Sequence, residues 1–419
     1  MKYSPAISTL FIGCLLFSTP ALLNAQIADP KQTASQSASD HVNNDVSNSI
    51  NNGLNKTESS LKGLFKKKSK SAKPDTAKAS GAATPAVTGA NAGSAQSNPN
   101  APVSLKTYSN YDFVPGDQVI FEDDFIDDAD GEFPAHWMLN KGQAVINKVG
   151  GTPAFCLTEG NYVRVAPRMK TADNYLPNDF TVEFDYFDNH GYDPAILFST
   201  STGDSRNLSF GTEVGTGYFT NNFSANYPGD REDAFHNRWH HAAMIKKGNQ
   251  IKCYEDQYRV LVIPDCGDCK VSRLEMGGIG SSENPIVIKN FRIAAGGNMN
   301  MIGKKFTDNK IVTHGINFDV DKATITPESM GTLNMIVRVL TDNPDLKFEV
   351  DGHTDNTGVA THNLLLSEQR AASVKTQLVS MGIDPSRLTT KGFGDTKPVS
   401  DNTSPEGKAN NRRVEFVKL

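Results

Sequence analysis

Three neighbouring stretches decide the fold of the C-terminal part: Leu346-Lys347-Phe348-Glu349-Val350-Asp351-Gly352, then His353-Thr354-Asp355-Asn356-Thr357-Gly358, then a helical run from about 363 to 381. The first reads as a strand, the second as a strand-to-helix loop, and Gly382 is a stop for the third. Upstream, 311–318 reads as a strand. Thr326-Pro327-Glu328 starts a helix with a capping residue and Pro at its first position. Met330, Leu333, Ile336, Val337 and Leu340 give that helix its apolar stripe. Strands over 388–392 and 413–417 follow. Alternating strands and helices make 306–419 a compact α/β sandwich.

Working outward, 106–298 changes to short alternating runs broken by Gly, Asn, Asp and Pro. Residues 180–186, 239–246, 250–254, 259–263 and 285–293 read as strands, and no long helical pattern interrupts them. The expected fold is an all-β sandwich. Of the 35 aromatic residues, 26 lie in 106–305, so this region can build a core. Only Phe65 lies in 26–105, where Ser, Ala, Asn, Lys, Thr and Gln dominate. That composition predicts a disordered linker that gives reach between its flanks.

The N-terminus has Lys2, an apolar stretch from Ala6 to Leu23 and a small residue at Ala25. These are the parts of an export signal over 1–25. Gly13-Cys14 offers lipidation as an alternative, although the apolar run continues past it. Without the signal, Cys156, Cys253, Cys266 and Cys269 remain, an even count that allows two disulfides with three connectivities. The 419-residue chain has 42 basic and 47 acidic residues, and its −5 net charge argues against a broad nucleic-acid surface. The sum hides a partition: 26–105 carries +4 and 106–305 carries −8.

Asn363, Leu366-Ser367-Glu368-Gln369-Arg370-Ala371, Gly392-Phe393-Gly394 and Asn410-Asn411-Arg412-Arg413-Val414-Glu415 accompany the 353–358 loop. Together, in this order, they resemble the outer membrane protein A (OmpA) C-terminal family over 308–419. The resemblance implies an envelope protein that binds peptidoglycan noncovalently by recognising diaminopimelate. It implies Asp355 and Arg370 as the main contacts, with Asp319, Thr354 and Asn363 lining the pocket. The chemistry agrees: a zwitterion needs a carboxylate for its ammonium and a guanidinium for its carboxylate. Arg412 and Arg413 read as structural, with Arg413 a candidate for the pocket rim.

The middle region resembles laminin-G-like and concanavalin-like jelly rolls through Phe180-Thr181-Val182-Glu183-Phe184 and Trp239-His240-His241-Ala242. That resemblance implies carbohydrate or an outer-membrane protein as its partner. A glycan hydrolase is the rival reading, and it requires Glu183 and Asp188 to converge in one cleft. Asp123, Asp124, Asp127, Asp128, Asp130 and Glu132 offer oxygen ligands for calcium, but no EF-hand spacing is present and a solvated acidic turn is the favoured reading. His240 and His241 are adjacent in a strand, so they point to opposite faces and cannot both be metal ligands. The expected whole is an exported, periplasmic, non-enzymatic protein, with no cofactor, that ties its β region or an outer-membrane partner to the cell wall.

Overall fold

The computed structural model describes Tyr108 and residues 111–200, 205–217, 223–228, 235–267, 269–297 and 306–419. The expected export signal (1–25), Cys14 and the linker (26–105) lie outside the described residues. All described residues belong to one compact unit, Ala86–Leu419.

Among the described residues, the β region has β1 (Gln118–Asp123), β2 (Trp137–Val149), β3 (Thr152–Pro167), β4 (Phe180–Asp188), β5 (Ala195–Thr200), β6 (Ser205–Ser209) and β7 (Glu213–Gly217). It continues through β8 (Ser224–Asn226), β9 (Arg238–Lys247), β10 (Gln250–Glu255), β11 (Tyr258–Ile263), β12 (Val271–Gly280) and β13 (Ile286–Ala295). They form one large antiparallel sheet in the order β11-β10-β9-β4-β13-β3-β12-β5-β6-β7-β8, with β1 paired to β13 and β2 to β3. β11 approaches β7 and β8, so the sheet curls round a single core.

Period-two patterning sorts β4. Phe180, Val182, Phe184 and Tyr186 enter the core, while Thr181, Glu183 and Asp185 take the opposite face. Trp137 is fully buried against Phe121, Phe125, Phe155 and Phe291. Its Nε1 donates to Asp123 Oδ2 at 3.0 Å. A buried indole needs such an acceptor, so the first member of the acidic stretch is structural. Asp124 and Asp128 accept backbone N–H groups of Ile126 and Ala135. Among the described residues no three His, Cys, Asp or Glu are grouped to hold a metal ion. His240 points inward, stacked on Phe235 with Nδ1 3.0 Å from Asp256. His241 points outward, with Nδ1 2.8 Å from Asp185.

The cysteines depart from a two-disulfide framework. Cys266 and Cys269 are bonded to each other, whereas Cys156 and Cys253 are separate buried thiols. Cys156 packs with Ala154 and Val287, and Cys253 lies in the main core, so the sheet holds them in different clusters. Burial pushes the Cys156 thiol up to about 11, which suits an inert core residue.

The C-terminal part comprises β14 (Lys310–Thr313), α1 (Met330–Asp342), β15 (Phe348–His353), α2 (Ala360–Ser380), β16 (Leu388–Gly394), α3 (Pro405–Asn411) and β17 (Val414–Lys418). Its sheet order is β14-β17-β15-β16, with only β15 and β16 parallel among its pairs. The strand expected over 311–318 stops at Thr313, and Phe318 instead bridges to Ile325 across a loop. Pro327–Ser329 is a short 3-10 turn, and Thr326 makes no side-chain capping bond. Ser329 ties the turn down instead, its Oγ accepting from Asn317 N at 2.8 Å. The sequence reading also missed α3, although Ser404 caps it by accepting from Gly407 N, and Pro405 follows.

The two parts share a core. Ala243, Ile245 and Tyr254, on the outer face of β9 and β10, join Tyr108, Tyr111, Phe113 and Val114 against α1 residues Met330, Leu333 and Ile336. Asn334 Nδ2 donates to the carbonyls of Tyr108 and Tyr111. Asn410 of α3 holds β1 through both backbone groups of Val119, at 3.0 and 2.8 Å. Gly331 makes the approach possible, because a Cβ there would overlap the Phe113 carbonyl. Gly331→Ala should therefore cost about 1–3 kcal/mol by overpacking. A lowered midpoint in thermal unfolding of the full chain checks this, and an unchanged midpoint would show that the seam is soft.

Candidate functional site

The C-terminal end of β15 and the start of α2 position the site. Gly352 permits this, since a side chain there would overlap the Ser367 carbonyl of α2. Thr354 and Asp355 follow β15 directly, Asn363 lies in the first turn of α2, and Arg370 lies about two turns further on. Asn363 Nδ2 donates to the Asp355 carbonyl at 3.3 Å and fixes the loop on the helix. Asp319, Thr354, Asp355, Asn363 and Arg370 all line one cleft, of about 1050 Å³.

Within it, Asp355 Oδ1 accepts from Thr357 N at 2.8 Å, and Oδ2 accepts from Arg412 Nη1 at 2.7 Å. Burial alone would raise the carboxyl; the Arg412 bond and the Thr357 N–H outweigh it and hold Asp355 below its ordinary value. Arg370 donates Nε to the Lys322 carbonyl at 2.9 Å, with its guanidinium 4.9 Å over the Phe318 ring. Burial, then repulsion from Arg412, lowers its pKa, but a guanidinium keeps its charge. Asp355 and Arg370 thus face one cleft with different partners rather than as an ion pair. Asp319 lies at the rim, 3.4 Å from Lys322 Nζ.

Arg412 lines the cleft and forks between Asp355 and Glu122 of β1. Arg413, by contrast, is buried on Glu415, with Nε to Oε1 at 2.7 Å, and on the carbonyls of Asn411 and Lys397. Both arginines line the cleft, Arg413 from a buried position and Arg412 from an exposed one.

Residues 317–412 match the OmpA family. The rest of the chain lies outside that match. The chain is 42% identical over 104 residues to a probable lipoprotein, YiaD, of Escherichia coli, covering 25% of this chain and 48% of that protein. It is 44% identical over 99 residues to outer membrane protein A of Bordetella avium, covering 24% of this chain and 51% of that protein. It is 41% identical over 107 residues to the peptidoglycan-binding protein ArfA of Mycobacterium tuberculosis, covering 25% of this chain and 33% of that protein. The chain spans about half the length of these relatives or less.

The OmpA-type pocket forms only one wall of the cleft. The outer face of the β sheet supplies the other, through Glu122, Glu183, Asp185, His241, Asn290 and Arg292. Arg292 donates Nε to Glu122 at 2.7 Å and Nη1 to Glu183 at 3.3 Å. Asp185 takes His241 Nδ1 at 2.8 Å and Asn290 Nδ2 at 2.6 Å. Asp188 is elsewhere: it holds His236 Nδ1 at 2.9 Å and lines a separate small recess with Tyr186 and Asp193. Glu183 and Asp188 therefore do not form the carboxylate pair that the hydrolase reading requires.

Burial would lower the pKa of His241, but the Asp185 hydrogen bond and charge, with Glu328 and Glu183 behind them, raise it to about 9. A folded pKa above the unfolded one stabilises fully below the unfolded value, ~6.5, and the contribution fades as pH rises through about 9. The expected loss is on the order of 3 kcal/mol. Denaturant unfolding of wild type and His241→Gln at pH 6 and pH 10 isolates it: the stability gap should shrink at the higher pH. A gap independent of pH would refute the charged assignment.

Proposed function

We propose that the protein is an exported, periplasmic cell-envelope component that binds peptidoglycan noncovalently, and that diaminopimelate is the group recognised. The observation that carries this reading is Asp355 and Arg370 in one cleft without an ion pair between them. An ammonium would compete with Arg412 for the Asp355 carboxylate. A carboxylate would bond the free edge of the Arg370 guanidinium, whose Nε alone is committed to Lys322. Thr354 and Asn363 would close the pocket and Asp319 its rim. The relative named as peptidoglycan-binding, ArfA, supports the assignment over the matched segment.

We read the β region as a jelly-roll-type sandwich (106–298), held to the wall by 306–419, with the linker (26–105) giving reach toward the membrane. Binding rather than catalysis is its proposed role. In a sacculus pull-down with the full chain, Asp355→Ala and Arg370→Ala should each weaken binding by ~2–5 kcal/mol, the usual cost of removing one partner of a buried, hydrogen-bonded charge pair. Undiminished binding by both variants would overturn the site.

A further inference from the structure

The cleft is larger than the proposed zwitterion requires. Its 1050 Å³ reaches the top of the range for whole small-molecule pockets, roughly 300–1,000 Å³, whereas Asp355 and Arg370 engage only the end of one amino-acid side chain. The remaining space faces the β sheet. That wall is held in place relative to the pocket by the shared core and by Arg412, which bonds Asp355 on one side and Glu122 on the other.

The wall's chemistry narrows what it can take. Its charges are mutually paired: Arg292 with Glu122 and Glu183, His241 with Asp185. Asp124 and Asp127, which also line the cleft, make no ion pair among the described residues and lie outside this set. Around Asp185, Asn290 and His241 a simple ion gains little from the surface, because the charges there already have counter-charges. A neutral polyhydroxyl ligand can use it, since every hydroxyl both donates and accepts, and the network presents fixed carboxylate acceptors beside amide, imidazole and guanidinium donors. Asn290 is exposed on this wall, and Ile126 at the lip is 55% exposed, an apolar surface for the C–H face of a sugar ring. In peptidoglycan the stem peptide hangs from an N-acetylated amino sugar. Two residues and the linking group, at ~3.3–3.6 Å per residue, span ~10 Å, comparable with the width of a cleft of this volume.

We infer that the β-sheet wall of the cleft, through Asp185, Asn290 and His241, binds the amino-sugar part of the muropeptide whose diaminopimelate sits on Asp355 and Arg370. This rests on the proposed peptidoglycan reading. The ligand would lie across the seam between the two parts of the protein. The β region would then be half of the binding site as well as the cargo of the anchor.

Calorimetric titration of the full chain with two ligands tests this: the uncross-linked disaccharide tetrapeptide and the same tetrapeptide without sugar. Wild type should bind the sugar-bearing ligand at least tenfold more tightly. Asp185→Ala should bring the two affinities within about twofold while leaving the affinity for the bare peptide unchanged. Asn290→Gly should do the same, and it suits the positive φ of 52° at that position. Asp355→Ala should lose both ligands. Equal affinities in wild type, or a tenfold preference that survives both wall variants, would overturn the inference and leave the peptide site standing. Failure of wild type to bind either ligand would overturn the underlying reading, and the sugar site with it.

Discussion

The apolar seam under α1 is the constraint on which the rest of the structure depends. The outer face of an antiparallel sheet is normally half wet, with polar residues alternating outward. In β9 and β10 that outer face carries Ala243, Ile245 and Tyr254, which would otherwise face water; Tyr111 and Phe113 pack on Tyr254, and α1 closes the same cluster behind Phe113. Burying this patch removes solvent from the β region and from the α/β part at once, and each buried aliphatic or aromatic side chain contributes ~1.5–3 kcal/mol. The edges between the two parts thereby become walls of a single cleft.

That geometry explains why charged groups tolerate their burial. Glu122, Arg292, Glu183 and Arg412 lie beside the seam, where isolated charges would be costly. They neutralise one another: Arg292 spans Glu122 and Glu183 within the sheet, and Arg412 links Glu122 to Asp355 across the seam. The same bonds set the electrostatics of the ligand pocket. Arg412, with the Thr357 N–H, favours the ionised form of Asp355, and Arg412 is oriented by a glutamate from the β region, over two hundred positions away in the chain. Any ligand cation reaching Asp355 meets a carboxylate already polarised toward the sheet.

The β region also keeps polar groups inside its own core. Glu255 accepts from the Tyr186 hydroxyl, and burial holds its carboxyl well above the ordinary range. His240, Asp256, Arg238 and Tyr227 form a connected set beside it. Period-two reading set His240 and His241 on opposite faces of β9, and the structure turns His240 and Tyr186 inward. That reading had no means of pairing them with Glu255 and Asp256, which come from the end of β10 and the turn after it.

Local signals were enough for much of the α/β part. The strand ending at His353, the helix stopped by Gly382 and the loop between them follow from periodicity and turn chemistry, which act within a few residues. Asp355, Arg370, Asn363, Thr354 and Asp319 were named by the family resemblance that the ordered motifs carry, and all five line one cleft. In the β region the strongly alternating runs were legible, whereas β2 and β3, carrying many polar residues and interrupted by Gly142 and Gly160, were not. What the sequence by itself determined is therefore the nature of each element and the chemistry of one pocket wall. The second wall, the fork of Arg412, the different fates of Arg412 and Arg413 and the separation of Glu183 from Asp188 were decided only by tertiary structure. Each depends on which faces of distant strands meet, and that follows from burying the apolar patch on β9 and β10, a global free-energy choice that no local window contains.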